Sequence, residues 1–395
     1  MNNNLAISQS FYNTSFTKRR LKKRYFSQNI FKFCCISSII ISIIFLLILL
    51  SSIITKAMPA FITYEIKLNV QSDDLNAAQF LKNNFKDFNN INEIIYLISP
   101  NDLKEKLVKT DKEIWVKSSS DLDMYLKGNS KKNFFEEQIR WVNYIKDNSL
   151  IRQTFNKSLF FSKNSSKGEE AGIVTSLIGS FFIIFICISA IFPIAILTAV
   201  YLEEFAPKSK ITHLIELNIN NLAAVPSVVF GLIGLAIYIG LFNIPRSSAL
   251  AGGLTLALMV LPTMVITTRQ ALKSVPKSIR EGALALGASK IQTIIHQVLP
   301  PAIPGIMTGV ILSIARAIGE TAPLIMIGMV AFIVDLPISI LEPASALPVQ
   351  ILLWFDNPEY VFIEKTAAAI LILLVIMAIM NLVAVFIRNK YEYRW

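Results

Sequence analysis

Six apolar stretches, near residues 33–55, 171–201, 214–242, 248–268, 301–333 and 366–388, are each long enough to cross a bilayer as helix. About 20 apolar residues rising 1.5 Å apiece cover the roughly 30 Å of hydrocarbon, and several stretches leave length to spare for tilt. A chain of 395 residues that is 53% hydrophobic and only 16% charged carries too much apolar surface for a soluble protein of this size. The fold class expected is an all-α polytopic membrane protein with six transmembrane helices.

The charges orient these spans. Lys18, Arg19, Arg20, Lys22, Lys23 and Arg24 precede the first, Arg388, Lys390 and Arg394 follow the last, and Lys208, Lys210, Arg269, Lys273, Lys277, Arg280 and Lys290 fall in the second-to-third and fourth-to-fifth loops. The opposite loop, 334–365, carries Asp335, Glu342, Asp356, Glu359 and Glu364 against Lys365 alone. Both termini are therefore expected in the cytoplasm, as an even number of spans allows. This placement accounts for the net charge of +11 without nucleic acid, for which no zinc-finger or RNP-like motif is present. Cys34, Cys35 and Cys187 lie inside apolar stretches and suggest no disulfide framework; His213 and His296 are isolated, so no metal site is expected.

The expected organisation is a cytoplasmic tail over 1–32, an anchor helix over 33–56, a periplasmic insertion over 57–170, a core over 171–388 with five further spans, and a cytoplasmic tail over 389–395. Residues 1–17, rich in Asn and Ser, read as disordered. The first span exceeds a signal-peptide apolar region and lacks a clean A-x-A site, so it is expected to stay as an anchor. The insertion mixes charge with Trp115, Trp141 and the apolar run Ile94, Ile95, Tyr96, Leu97 and Ile98, which suits a small α/β domain. Its carboxylates are spread among lysines and suggest no catalytic group. Lys157 to Glu170 reads as a linker into the second span.

Ser274 to Pro300, within a cytoplasmic loop spanning 269–300, has helical periodicity interrupted once, at Gly287. Ser278 with Glu281 and Ser289 with Gln292 have capping-box spacing, and Gly287 suits a left-handed C′ position. Two short helices meeting at a turn follow. Ile291, Ile294, Ile295 and Val298 form an apolar stripe, and alanines and leucines surround Glu281. Such a knob fits a groove in another protein, or lies on the lipid surface.

The segment resembles the cytoplasmic coupling loop of ABC importer permeases, whose pattern is E-A-A, three residues, G, nine residues, I, one residue, L-P. Here it runs Glu281, Gly282, Ala283, then Gly287, then Leu299 and Pro300, with Gly282 in place of an alanine and Gln297 at the isoleucine. The resemblance implies the ABC importer permease fold, and a loop seated in a separate dimeric ATPase that uses ATP and Mg. The chain has no G-x-x-x-x-G-K-[ST], so neither hydrolysis nor a bound cofactor is expected of it.

Arg316 and Glu320 stand four residues apart in the fifth apolar stretch, which would place both on one helix face. A charge at mid-bilayer costs about 2.5–3.5 kcal/mol on insertion scales, so the pair is expected to face protein or a water-filled cavity. Either it fixes helix packing or it forms part of an anion path, where the guanidinium fork suits phosphate oxygens.

The surrounding string from Ala315 to Leu324 resembles the A-R-x-x-G-E-T-A-P-L signature of phosphate-specific permeases of the PstA type. Val225 to Leu232 resembles the same family's V-P-S-[IV]-V-x-G-L. Leu261, Pro262 and Thr263 with Arg269, Val275 and Pro276, and Ala346 to Gln350, also fit, so the likeness covers roughly 171–395. It implies a bacterial inner-membrane importer of inorganic phosphate, with a PstC-type permease partner and a periplasmic phosphate-binding protein. Arg316 and Glu320 would then lie on the translocation path. Competing readings are a permease for another oxyanion or small solute, a sensory receptor with a periplasmic input domain, and an intramembrane enzyme. No H-E-x-x-H or G-x-S-x-G supports the enzyme, and no catalytic residue is expected.

Other features leave alternatives open. Gly305 and Gly309 could pack within the subunit or against a partner permease. Pro226, Pro262 and Pro304 are expected to kink or end helices, and Asn220 and Asn221 to cap or bond within the third span. Arg246 could meet an incoming anion or serve topology.

Overall fold

The computed structural model describes residues 15–69, 96–107, 113–128, 134–329, 333 and 335–390. Most of the Asn- and Ser-rich tail, Ile94, Ile95 and Arg394 lie outside the described residues. Among those described, five helices are long and apolar enough to cross a membrane, and a sixth crossing results if a pair bent by 104° is one span.

The first helix, α1 (Ser15–Ala57), runs 43 residues without interruption, well beyond the expected 33–55. No proline or glycine occurs in it to stop it. The hydroxyls of Ser42 and Thr55 donate to the Ser38 and Ser52 carbonyls at 2.9 and 3.0 Å, which satisfies them inside the helix.

The insertion is the expected small α/β unit. Its order is β1 (Ile62–Asn69), α2 (Pro100–Leu107), β2 (Glu113–Lys117), α3 (Ser120–Leu126), α4 (Glu136–Asp147) and β3 (Ile151–Phe155). The strands form an antiparallel sheet in the order β2-β1-β3, with Ile66 opposite both Val116 and Ile151. Strand periodicity turns Ile66, Leu68, Ile114 and Val116 inward, where they bury Leu97, Leu122, Trp141 and Ile145 with them.

The expected linker is instead a packed junction. It holds α5 (Lys157–Phe161) and the fully buried Leu159, and the Asn164 and Gln350 amides bond reciprocally at 3.1 and 3.3 Å. Its polar residues find protein partners in place of water, for Asn156 Nδ2 donates to the Ala60 carbonyl at 2.9 Å.

The core continues with α6 (Val174–Val200), which widens into a π turn over Tyr201–Phe205, then α7 (Lys210–Ala223) and α8 (Ser227–Gly234), the latter extended to Leu241. Next come α9 (Ala249–Ser274), α10 (Lys277–Ala285), α11 (Lys290–Thr293) running on through Val298, α12 (Leu299–Gly319), α13 (Ala322–Met326), α14 (Leu347–Phe355) and α15 (Tyr360–Lys390). Helix α9 is the hub. Its Ala251, Leu256, Val260, Met264 and Leu272 are buried, and it packs against α6 and α12.

Gly305 and Gly309 take the intrasubunit role, since a Cβ on them would fall 2.5 Å from Ala271 Cβ and 2.2 Å from Thr267 Oγ1. Pro262 and Pro304 lie inside α9 and α12, whereas Pro226 caps α8.

Two expected spans are broken. The third bends by 104° between Ala223 and Ser227. Pro226 has no N–H to give and disfavours helix at Val225 before it. The fifth stops at Gly319: Glu320 is extended at φ −84 and ψ 127, and the short α13 starts at Ala322 with Pro323 in its first turn.

The outer loop is also more structured than its charges suggest. Helix α14 buries Leu347, Val349, Gln350 and Trp354. Glu364 and Lys365, counted above as loop charges, are buried on α15, where Lys127 lies 3.4 Å from Glu364 and Lys365 Nζ donates to the Ala171 carbonyl.

Candidate functional site

Helix α10, a tight turn and α11 form the helical hairpin expected between 276 and 300. Gly287 sits at φ +85, the left-handed conformation in which an L side chain is strained, and the Gly287 and Ala288 amides close the α10 terminus onto the Leu284 and Ala283 carbonyls. Ser289 and Gln292 make the second expected capping box at 2.9 and 3.3 Å. The first does not form. Pro276 is the N-cap of α10 and no side chain caps it, so Glu281 stays free of the helix end.

The knob is open. Glu281 and Gly282 are exposed, Ala283 is half-buried, a Cβ on Gly282 would meet nothing, and Leu286 is 90% exposed. Leu299 and Pro300 begin α12, so the hairpin and Arg316 belong to one continuous rod, with about 25 Å between its base and Arg316.

A network beneath the hairpin went unread in the sequence. Arg280 donates to Glu204 Oε1 from Nε at 3.0 Å and from Nη2 at 2.7 Å, and also to the Leu272 and Val275 carbonyls at 2.8 and 2.7 Å. Arg269 Nη2 lies 2.5 Å from Glu216 and 3.6 Å from Glu203, which Lys273 also approaches at 3.6 Å. Lys290 Nζ stands 4.9 Å from the Phe205 ring centre. Charge position alone gives these arginines and lysines a topological role, and Arg269 a place in the family likeness, but names none of their carboxylate partners. The available signal was the Glu203-Glu204 pair directly after an apolar span, two carboxylates that need cations nearby.

At the other end of α12, Arg316 and Glu320 are brought together, though differently from a shared helix face. Glu320 lies past the helix end, and its Oε1 is 3.8 Å from Arg316 Nε, too long for a hydrogen bond. Their side chains are 36% and 24% exposed. Among the described residues the guanidinium therefore keeps free donors beside a loosely held carboxylate.

The string bearing this pair packs on the Val225–Leu232 string: a Cβ on Gly231 would lie 2.7 Å from Met326 Cβ and 2.8 Å from Pro323 Cα. Gly231→Leu is expected to cost about 1–3 kcal/mol through overpacking. A lowered thermal midpoint of the detergent-solubilised protein would register it; an unchanged midpoint would mean that α13 yields without strain.

A family model described as "Binding-protein-dependent transport system inner membrane component" matches residues 191–393. The chain belongs to this family. It is a multi-pass inner-membrane permease component of an ABC importer, and ATP hydrolysis falls to a separate subunit. The permease is 32% identical over 237 residues to the probable ABC transporter permease protein YqgI of Bacillus subtilis, covering 57% of this chain and 79% of that relative.

Over 196 residues it is 36% identical to the phosphate transport system permease protein PstA 1 of Mycobacterium tuberculosis, covering 50% of this chain and 64% of the relative. Over 200 residues it is 34% identical to PstA of Haemophilus influenzae, covering 51% and 70%. An inward-facing MetNI methionine ABC transporter structure aligns at 18% identity and a TM-score of 0.43, over 56% of this chain and 95% of that one. Residues 18–97 of the permease match a domain of unknown function (DUF3333).

Proposed function

We propose that this permease admits inorganic phosphate, together with a PstC-type permease subunit, an ATPase dimer docked on the 276–300 hairpin, and a periplasmic phosphate-binding protein. The observation that carries the reading is the Arg316–Glu320 pair at the broken end of α12. A guanidinium with unused donors suits an oxyanion, and a carboxylate 3.8 Å away weakens its hold. A transport site must release what it binds, so a partly neutralised arginine serves better than an isolated one. PstA relatives at 34–36% identity support phosphate as the anion. Glu281, Gly282, Ala283, Gly287, Leu299 and Pro300 would form the docking element, with Glu281 meeting basic groups of the ATPase.

Radiolabelled phosphate uptake in cells lacking their own high-affinity system, supplied with this chain and its companion subunits, tests the substrate. Uptake should persist under excess sulfate. Competition by sulfate or molybdate would instead favour a permease for another oxyanion. Glu320→Gln should slow release and lower the maximal uptake rate several-fold; a normal rate in a normally assembled complex would remove Glu320 from the path.

A further inference from the structure

The ion network beneath the hairpin joins four elements of the fold. Arg280 belongs to the hairpin, Glu203 and Glu204 to the π turn that ends the second span, Arg269 and Lys273 to the cytoplasmic end of α9, and Glu216 to α7. The side chains of Arg280 and Glu204 are only 19% and 10% exposed, so their bonds are little loosened by water. Arg280 also fills the terminal carbonyls of α9, which makes it rigid with respect to that helix.

Topology needs only positive charge on this side, whereas here three carboxylates are each matched to a cation on another element. Among the described residues the hairpin tip shows no ion pair, and a Cβ on Gly282 or Gly287 would meet nothing.

We propose that Arg280 with Glu204 is the joint through which movement of the hairpin reaches the second span, and that Arg269 extends it to α7 through Glu216. Both arginines act as positioning residues. The proposal rests on the reading of the hairpin as the ATPase-docking element. A push on α10 would pull the π turn of the second span through Glu204 and carry α9 along through the Leu272 and Val275 carbonyls. Without the Glu204 bond, the hairpin would still fold and still be held by those carbonyls, and the second span would follow it only indirectly, through α9 and the ties of Glu203 to Arg269 and Lys273.

Glu204→Gln separates this from a purely structural role, because it keeps a neutral acceptor and leaves the Arg280 bonds to backbone intact. The test uses the assembled complex, with spin labels at Leu197→Cys on the second span and Leu312→Cys on α12, and with the native cysteines replaced. Trapping with ATP and vanadate is expected to change the label separation in the parent complex. Glu204→Gln should reduce that change by half or more while the ATPase stays bound, and uptake per ATP hydrolysed should fall several-fold. Glu204→Asp, which keeps the charge on a shorter arm, should recover part of both.

No change in the parent, or an equal change in Glu204→Gln, would overturn the joint. If Glu204→Gln fails to assemble, Glu204→Asp decides the matter alone: a reduced change supports the joint and a full one overturns it. Failure of the docking reading would show separately, as an ATPase that remains bound to a Gly287→Val permease.

Discussion

If the proposed phosphate path is right, Arg316→Gln is expected to lower phosphate uptake by about 10- to 100-fold in the assembled importer, with ATPase and partner subunits still bound. Glutamine keeps a polar head but loses the charge and the planar fork, and hydrogen bonds to a charged group contribute about 1.5–3 kcal/mol each. Among the described residues the guanidinium has no hydrogen bond to lose, only the 3.8 Å approach to Glu320, so little folding energy is at stake. The assay is initial-rate uptake of radiolabelled phosphate at matched membrane abundance. Equal rates would take Arg316 off the path. Lower abundance instead would assign the pair to packing.

Gly287→Val should detach the ATPase. A non-glycine residue in the left-handed region costs roughly 1–2 kcal/mol, and a β-branched one fits it worst. The backbone at φ +85 closes the hairpin turn, so the strain falls on the presentation of the knob and spares the membrane helices. Co-purification of the ATPase should drop about tenfold, with the permease itself still folded in the membrane. Gly282→Ala is the control: space is open around that position, and binding should be kept unless a partner surface approaches it closely.

The sequence was most legible where one physical rule decides the outcome. Apolar length located the spans, and the Gly287 turn and the Ser289–Gln292 box could be read because each depends on residues close in the chain. Breaks inside apolar runs were harder. Pro226 is recognisable as a helix breaker, but the 104° bend depends on how α7 and α8 each pack on α9, and α12 ends at Gly319 although the apolar run resumes beyond Glu320.

Long-range pairing was not legible at all. Arg280 and Glu204 are 76 residues apart, and Lys127 and Glu364 are 237 apart. Each of these charges, read alone, is explained by topology or solvent. The Ser278–Glu281 box failed for a local reason, because Pro276 had already taken the position that starts the helix.

Helix α12 also has the dimensions of a lever. Its base is covalently continuous with the hairpin, its far end carries Arg316 some 25 Å away, and Gly305 and Gly309 bring its middle against α9 with almost no side chain between. A tilt of roughly 10° about that fulcrum swings the far end by a few ångströms, about the difference between a guanidinium touching a solute oxygen and one out of reach. The two glycines set how near that fulcrum lies to α9, so a side chain at either position would push the rod away from it.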